Sequence, residues 1–143
     1  MLSADVNVLV YAFDQSSPQH VRARAVLDRQ RTSPELMLLF PSVLAGFLRV
    51  MTDRRIFVEP VEPMTAVAFV DGLLAGPSVR IAEPGARHWS IVRQLVEAYQ
   101  PRGPEMPDVI LAASAIELGL TWVSFDRGFA RFRELRWVNC ADS

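Results

Sequence analysis

The sequence predicts an α/β protein with a central, mostly parallel β-sheet. Short apolar runs, of the length of buried strands, alternate with longer stretches in which apolar residues recur at helical spacing. Half of the residues are hydrophobic, which is enough for a substantial core. The candidate loops at residues 59–63, 76–77 and 101–107 are too short for domain linkers, so we expect one domain over residues 1–143.

The first half of the chain carries two of the predicted strands. In chain order we predict a strand at residues 1–5, helices at 8–13 and 17–30, a strand at 37–40, and helices at 41–51 and 64–74. The apolar run at 37–40 is short enough for a buried strand. Ser17 and Pro18 are a typical N-cap and first-turn pair, so we expect the second helix to begin there. Phe47 and Met51 are four residues apart and therefore share one face of the third helix.

The second half continues the alternation. We predict a strand at residues 79–82, helices at 87–99 and 107–118, a strand at 120–125, a short helical turn and a final strand at 135–139. The helix at 87–99 is amphipathic, with Trp89, Val92 and Val96 on its apolar side. Pro107 marks the start of the next helix and Gly119 its C-terminal stop. Because ligands of parallel sheets bind beyond the carboxyl ends of the strands, residues that follow the strands are candidates for a functional site.

Composition and charge exclude several classes of protein. The net charge of −1 gives no overall basic signal for nucleic acid. All fifteen basic residues are Arg, which suits phosphate recognition but is explained more simply by codon bias. A single cysteine, Cys140, excludes an internal disulfide and a structural zinc site, and it favours a reducing, cytoplasmic setting. The start of the chain lacks the features of a signal peptide, and Pro41 and Arg49 interrupt the most apolar stretch, so we expect no membrane segment.

Three aspartates are predicted to converge on one edge of the sheet. Asp5 and Asp126 each follow a strand, and Asp108 lies at a helix start that faces the same edge. Two carboxylates about 4 Å apart repel by roughly 4 kcal/mol at an effective dielectric constant near 20. A bound divalent cation reverses the sign of that interaction, and Mg²⁺ prefers oxygen ligands. The three residues are therefore candidate metal ligands.

Each aspartate also has a purely structural explanation. Asp5 could cap the helix that follows it, Asp108 could interact with the dipole of its helix, and Asp126 could stabilise a turn. Three such residues at equivalent places on one edge favour the functional interpretation. An aspartate-nucleophile phosphohydrolase is disfavoured, because Asn7 stands where that class has a second Asp and the chain has no Lys.

Three segments resemble the PIN-domain VapC toxins of prokaryotic toxin–antitoxin pairs. They are ADVNVLVYAFDQSSPQHVRARAVLD near the start, PDVILAASAIELGLTWVSFDRGFARF, and LRWVN near the end. The first is similar to the Asp-x-Asn pattern of that family after strand one. The second is similar to its Asp-bearing helix and the strand that ends in Thr/Ser-x-Asp-x-x-Phe. The match extends over nearly the whole chain.

The resemblance implies a PIN-like three-layer α/β/α fold and the toxin of a type II pair. It implies an endoribonuclease that uses Mg²⁺, or Mn²⁺ in its place, held by Asp5, Asp108 and Asp126. Asn7 and Ser124 would orient those carboxylates. The implied partners are RNA, a second copy of the chain, and a VapB-like antitoxin whose C-terminal tail blocks the pocket, in a heterotetramer or larger assembly.

The chain departs from the family pattern at two glycines. Many PIN nucleases have a Glu in the helix after strand two, where this chain reads VLAGF with Gly46 at that position. This puts a second metal ion in doubt and leaves an alternative, a PIN-fold binding protein with impaired catalysis. Gly128 stands where relatives often have another Asp.

A glycine inside a helix costs about 1 kcal/mol relative to Ala, so the small size of Gly46 needs a reason. Either it leaves room for the RNA backbone or an antitoxin side chain, or it allows close helix packing. Arg49 shares its helix face and, with Arg127, is a candidate contact for RNA or antitoxin. Arg131 and Arg133 could also line the RNA path, although a solvated charged surface would explain them too.

Overall fold

The computed structural model describes residues 1–142; Ser143, the last residue of the predicted domain 1–143, lies outside the described residues. The strands are β1 (Leu2–Ala4), β2 (Met37–Leu39), β3 (Val79–Ile81), β4 (Thr121–Ser124) and β5 (Arg136–Asn139). They form one sheet in the order β3-β2-β1-β4-β5, and every adjacent pair is parallel. The predicted α/β class is confirmed, with a sheet that is parallel throughout the described residues.

Helices connect the first four strands in chain order, and a 3₁₀ turn connects β4 to β5. They are α1 (Val6–Phe13), α2 (His20–Arg29), α3 (Pro41–Met51), α4 (Pro63–Leu74), α5 (His88–Tyr99) and α6 (Met106–Leu118). Short 3₁₀ turns cover Gly103–Glu105, Arg127–Arg131 and Cys140–Asp142. Helix α1 packs against α2 and α3, α3 against α4, and α5 against α6. Crossovers between parallel strands are right-handed as a rule, so the strand order implies that α1 to α4 lie on one face of the sheet and α5 and α6 on the other, which gives three layers.

The strand order creates a crevice between β1 and β4. From β1 the chain moves through β2 to the edge strand β3, then returns to place β4 on the other side of β1. Ala4 pairs with Val123, so both strands end at the same level. Such a reversal of strand order is the usual ligand position of an open α/β sheet.

Aromatic side chains fill the core beneath this crevice. Trp122 on β4 is fully buried between Phe40 and Phe129, with ring centroids 6.5 and 5.6 Å away. The prediction that Trp89 lies on the apolar side of its helix is wrong, because that side chain is 67 % exposed. The buried face of α5 begins one residue earlier, since the His88 ring lies 3.1 Å from the Ser114 hydroxyl and contacts α6.

One helix start and one helix end show how local chemistry sets the boundaries. Helix α2 begins at His20 rather than at the predicted Ser17–Pro18 pair. The Ser17 hydroxyl instead accepts a hydrogen bond from the Gln19 amide at 3.1 Å, which makes a turn before the helix. The predicted stop of α6 is confirmed, because Gly119 has φ +65° in the left-handed region.

None of the helices in residues 1–142 combines the length and apolar character needed to cross a membrane.

Candidate active site

Asp5 occupies the carboxyl end of β1, in the crevice next to β4. It is the N-cap of α1, and its Oδ1 accepts a hydrogen bond from the Val6 amide at 2.7 Å. Its Oδ2 accepts the hydroxyl proton of Ser124, the last residue of β4, at 2.7 Å. Asp5 is 8 % exposed and Ser124 is fully buried. Asp5 is thus a helix cap as well as a candidate site residue, so the two interpretations of its role in the sequence are compatible.

Asn7 joins the ends of the two strands. Its Nδ2 donates to Ser124 Oγ at 3.2 Å and more weakly to Asp5 Oδ2 at 3.4 Å. Its Oδ1 accepts from the Phe125 amide at 3.2 Å. Ser124 Oγ in turn accepts from the Asp126 amide at 3.0 Å. Asn7 and Ser124 therefore contact the carboxylate of Asp5, whereas these hydrogen bonds reach Asp126 only through its backbone amide and do not include Asp108.

Asp126 and Asp108 approach the crevice from two other elements. Asp126 is exposed and caps the turn Arg127–Arg131, where its Oδ1 accepts from the Gly128 amide at 2.8 Å. Asp108 lies in the first turn of α6 with 27 % of its side chain exposed. Its Oδ2 is 3.4 Å from Nη2 of Arg131.

The carboxylates act on one another electrostatically. Burial raises the pKa of Asp5 most strongly, and the negative charges of Asp108 and Asp126 raise it further, against the Ser124 and Val6 hydrogen bonds. Burial and the charge of Asp126 also raise the pKa of Asp108, while Arg131 opposes that shift. The fold therefore brings the three predicted residues near enough to disfavour a fully ionised set.

The donor set fits a hard divalent cation. Within residues 1–142 no three Asp, Glu, His or Cys side chains are preassembled in metal-binding geometry. The charges of Asp108 and Asp126 nevertheless act on Asp5, and that of Asp126 acts on Asp108, so the three carboxylates lie close enough to repel one another; a bound divalent ion would reverse that interaction. These three residues are the ones that could hold such an ion.

A groove leads away from Asp5 along α1. Its volume is about 460 Å³. Acidic and amide groups lie at Asp5, Asn7 and Asp14, and the rest of the wall is mostly apolar: Val6, Val10, Tyr11, Val50, Ile56 and Phe57. Apolar groups of a ligand could pack against this wall, and its carboxylates could pair with a cation.

Only one of the arginines singled out in the sequence contacts a carboxylate of the site. Arg49 is exposed near the end of α3, and Arg127 is 71 % exposed and pairs with Asp142 at 3.6 Å. Arg131 pairs with Asp108. The sequence placed Arg131 only among residues that could line an RNA path, because nothing in its spacing shows that a 3₁₀ turn points it back toward α6.

Both glycine departures have a packing explanation in the structure. A Cβ at Gly46 would lie 2.8 Å from Cγ2 of Val6, so this glycine permits the close approach of α3 to α1. That observation favours the packing alternative over room for RNA or antitoxin. A Cβ at Gly128 would lie 3.0 Å from Oδ1 of Asp126 and 2.9 Å from Nη1 of Arg131. A side chain at position 46 would crowd Val6, and one at position 128 would crowd Asp126 and Arg131.

The fold and the acidic pocket together define the class of protein. The chain is a parallel α/β domain with an acidic pocket at the reversal of its strand order. A family model described as the PIN domain matches residues 4–135.

Curated relatives match nearly the whole chain. The chain is 49 % identical over 142 residues to VapC ribonuclease Mb2897 of Mycobacterium bovis and to ribonuclease VapC43 of Mycobacterium tuberculosis, covering 99 % of this chain and 97 % of each relative. It is 37 % identical over 138 residues to ribonuclease VapC25 of M. tuberculosis, with 96 % and 97 % covered. The chain belongs to the PIN-domain family and, within it, to the VapC-type ribonucleases.

Solved structures share the fold at lower identity. The toxin VapC20 of M. tuberculosis, described as cleaving the sarcin–ricin loop, superposes with a TM-score of 0.67 at 17 % identity, over 95 % of this chain and 99 % of that one. FitAcB from Neisseria gonorrhoeae gives a TM-score of 0.69 at 18 % identity, with both chains fully covered. The VapBC2 structure from Rickettsia felis, bound to a promoter DNA fragment, gives 0.68 at 18 % identity, over 96 % and 97 %.

Proposed function

We propose that this chain is the toxin of a type II toxin–antitoxin pair and acts as an endoribonuclease that hydrolyses phosphodiester bonds in RNA. The similarity to named VapC ribonucleases over nearly the full length supports the class of activity. The observation that carries the proposal is the approach of Asp5, Asp108 and Asp126 at the carboxyl edge of the sheet, where the charges of Asp108 and Asp126 act on Asp5 and the charge of Asp126 acts on Asp108.

Divalent-metal dependence is general among PIN-domain VapC ribonucleases. In this chain Asp5, Asp108 and Asp126 would hold the ion, and we propose Mg²⁺, with Mn²⁺ able to replace it. Such an ion activates water and stabilises negative charge on a phosphoryl group. Ser124 and Asn7 would hold the Asp5 carboxylate in one orientation through the hydrogen bonds described above. Attack by water would leave a 3′-hydroxyl and a 5′-phosphate.

The activity is tested by incubating a mixed pool of structured RNAs with the purified chain, freed of antitoxin. The reactions contain Mg²⁺, Mn²⁺ or a chelator, and a parallel set uses Asp108→Asn. We expect cutting only with metal, and a fall of at least a hundredfold in the variant because one carboxylate ligand is lost. Cutting that persists in chelator, or that yields 2′,3′-cyclic phosphate ends, would contradict the mechanism.

The groove beside Asp5 is the proposed site of the antitoxin. Structural neighbours include the VapBC toxin–antitoxin complexes of Rickettsia felis and Salmonella typhimurium, which supports a VapB-like partner. An apolar tail bearing one basic residue would match the apolar wall and its acidic end. Arg49 and Arg127 are exposed and remain candidate contacts for RNA or antitoxin. The homodimer, the heterotetramer or larger assembly, and the cytoplasmic setting stay predictions.

The alternative of a binding protein with impaired catalysis depended on Gly46 replacing an acidic ligand. The 2.8 Å approach of a Cβ at that position to Val6 gives Gly46 a packing role that is independent of catalysis. No observation in the described residues favours the alternative over the ribonuclease.

A further inference from the structure

Arg131 is held in place by contacts that do not depend on the carboxylates. Its Nη1 donates to the carbonyl oxygen of Gly128 at 2.5 Å. Its guanidinium carbon lies 4.3 Å from the ring centroid of Phe132, which is 2 % exposed. A cation over an aromatic face is attracted to the ring, and the planar guanidinium is well shaped for that contact. The positive charge is therefore anchored by its own turn.

The same guanidinium reaches the acidic crevice. Its Nη2 lies 3.4 Å from Oδ2 of Asp108, and both side chains are less than one-third exposed. That separation is long for a charge-assisted hydrogen bond, so the pair is held more by position than by a strong bond. Asp108 can leave this contact for another cation while Gly128 and Phe132 keep Arg131 where it is.

The formal charges of Asp5, Asp108, Asp126 and Arg131 can be added. With all three aspartates ionised, as ligands of a cation, they and Arg131 carry a charge of −2, which a single divalent ion neutralises. The charge of Glu105 also acts on Asp108, but more weakly than those of Asp126 and Arg131. A second divalent ion would raise this sum, which already includes the guanidinium, to +2, and like charges at short range in a partly buried pocket repel strongly.

We propose that Arg131 is a resident second cation of the site, which limits the site to one divalent ion and weakens the binding of that ion. The inference rests on the proposed metal site at Asp5, Asp108 and Asp126. Arg131 is a positioning residue in this scheme: it holds Asp108 when no ion is present, and it supplies fixed positive charge beside the ion when one is bound.

The proposal predicts that metal affinity rises when Arg131 loses its charge. Mn²⁺ binding to the antitoxin-free chain is measured by electron paramagnetic resonance of the free ion, which gives affinity and stoichiometry without RNA. We expect one Mn²⁺ per wild-type chain and about tenfold tighter binding by Arg131→Gln, because one repulsive unit charge is removed. Arg131→Lys keeps the charge and should stay within about threefold of wild type. Arg133→Gln, an equal charge change at an exposed neighbour, is the matched control and should shift affinity less than twofold.

The outcomes separate this proposal from the proposed function. Weaker or unchanged Mn²⁺ binding by Arg131→Gln, with native circular dichroism, overturns the resident-cation role, as does binding of two Mn²⁺ ions by the wild type. The wild-type stoichiometry needs no substitution, so the proposal stays testable if a variant fails to fold. Absence of any Mn²⁺ binding by wild type overturns both proposals. Tighter binding by Arg131→Gln in a chain that cuts no RNA supports the resident cation and contradicts the ribonuclease.

Discussion

Burial and the neighbouring carboxylates destabilise the ionised form of Asp5, and a few short hydrogen bonds stabilise it. It is buried near two other carboxylates, and the Ser124 hydroxyl at 2.7 Å is the strongest side-chain contact that stabilises its charge. A hydrogen bond to a charged group contributes more than one between neutral groups. We therefore expect the loss of the Ser124 hydroxyl to lower the free energy of unfolding substantially, although the side chain is small.

Replacing Ser124 with Ala should destabilise the protein by about 1–3 kcal/mol at neutral pH, because a buried carboxylate oxygen loses its short donor. Ser3 is a matched control on the adjacent strand. It is also fully buried, but its hydroxyl has no hydrogen-bond partner among the described residues. Ser3→Ala should therefore be neutral or slightly stabilising. Urea unfolding of both variants in chelator measures the difference, and equal losses would show that the Ser124 hydroxyl has no special role.

At the scale of single elements, the contact between α1 and α3 is set by one missing side chain. Gly46 lets α3 approach the first residue of α1, and that residue directly follows Asp5. A displacement of Val6 would move the cap of the helix and the carboxylate with it. The packing of two helices and the geometry of the site are therefore coupled.

Gly46→Ala should destabilise the protein by about 1–2 kcal/mol. The gain in helix propensity, about 1 kcal/mol, is outweighed by overpacking against Val6, a β-branched side chain that has one preferred rotamer in a helix. In a Val6→Ala background the same change should be neutral or stabilising, because the clash is gone. Thermal or urea unfolding of the two single variants and the double variant gives the coupling energy. Simple additivity would show that this contact does not limit the residue at position 46.

The elements differ in how far the sequence could predict them. Strand and helix identities follow from apolar runs and helical spacing, and Gly119 ends α6 where its left-handed backbone is needed. The start of α2 was misplaced, because Ser17 has the right chemistry for a cap but uses its hydroxyl in the preceding turn. Trp89 was assigned to a buried face because of its apolar ring, whereas His88 bonds into that face instead. Such choices are made by tertiary contacts that a local pattern does not contain.

The candidate site was also predictable only in part, because local patterns and strand order place some of its residues and tertiary contacts place the others. Asp5 and Asp126 follow strands, and parallel strands end at one edge, so their approach could be predicted from order alone. The contacts of Asn7 and Ser124 also agree with their predicted orienting role, which itself stays a prediction. The contact of Arg131 with Asp108 joins a 3₁₀ turn to a helix 23 residues earlier. No periodicity relates those two positions.

At the scale of the whole molecule, the strand order gathers two kinds of surface at one place. The acidic crevice lies between the carboxyl ends of the adjacent strands β1 and β4, where the strand order reverses. The apolar groove runs from this crevice along α1. One partner that fills the groove would also reach the carboxylates. Inhibition by an antitoxin tail would then need no change in the fold.

The groove can be tested separately from the crevice through Ile56, which lines its wall and is 51 % exposed. Ile56→Asp should weaken binding of the cognate antitoxin by roughly tenfold or more, because burying an Ile side chain is worth about 1.5–3 kcal/mol and a new carboxylate would have to be desolvated. Val21 on α2 is a matched control, since it is apolar, 78 % exposed and does not line the groove. Calorimetric titration of antitoxin into both variants measures the two affinities. An Ile56→Asp chain that binds antitoxin as tightly as Val21→Asp would place the tail elsewhere, and the acidic crevice would then have to be blocked by another part of the partner.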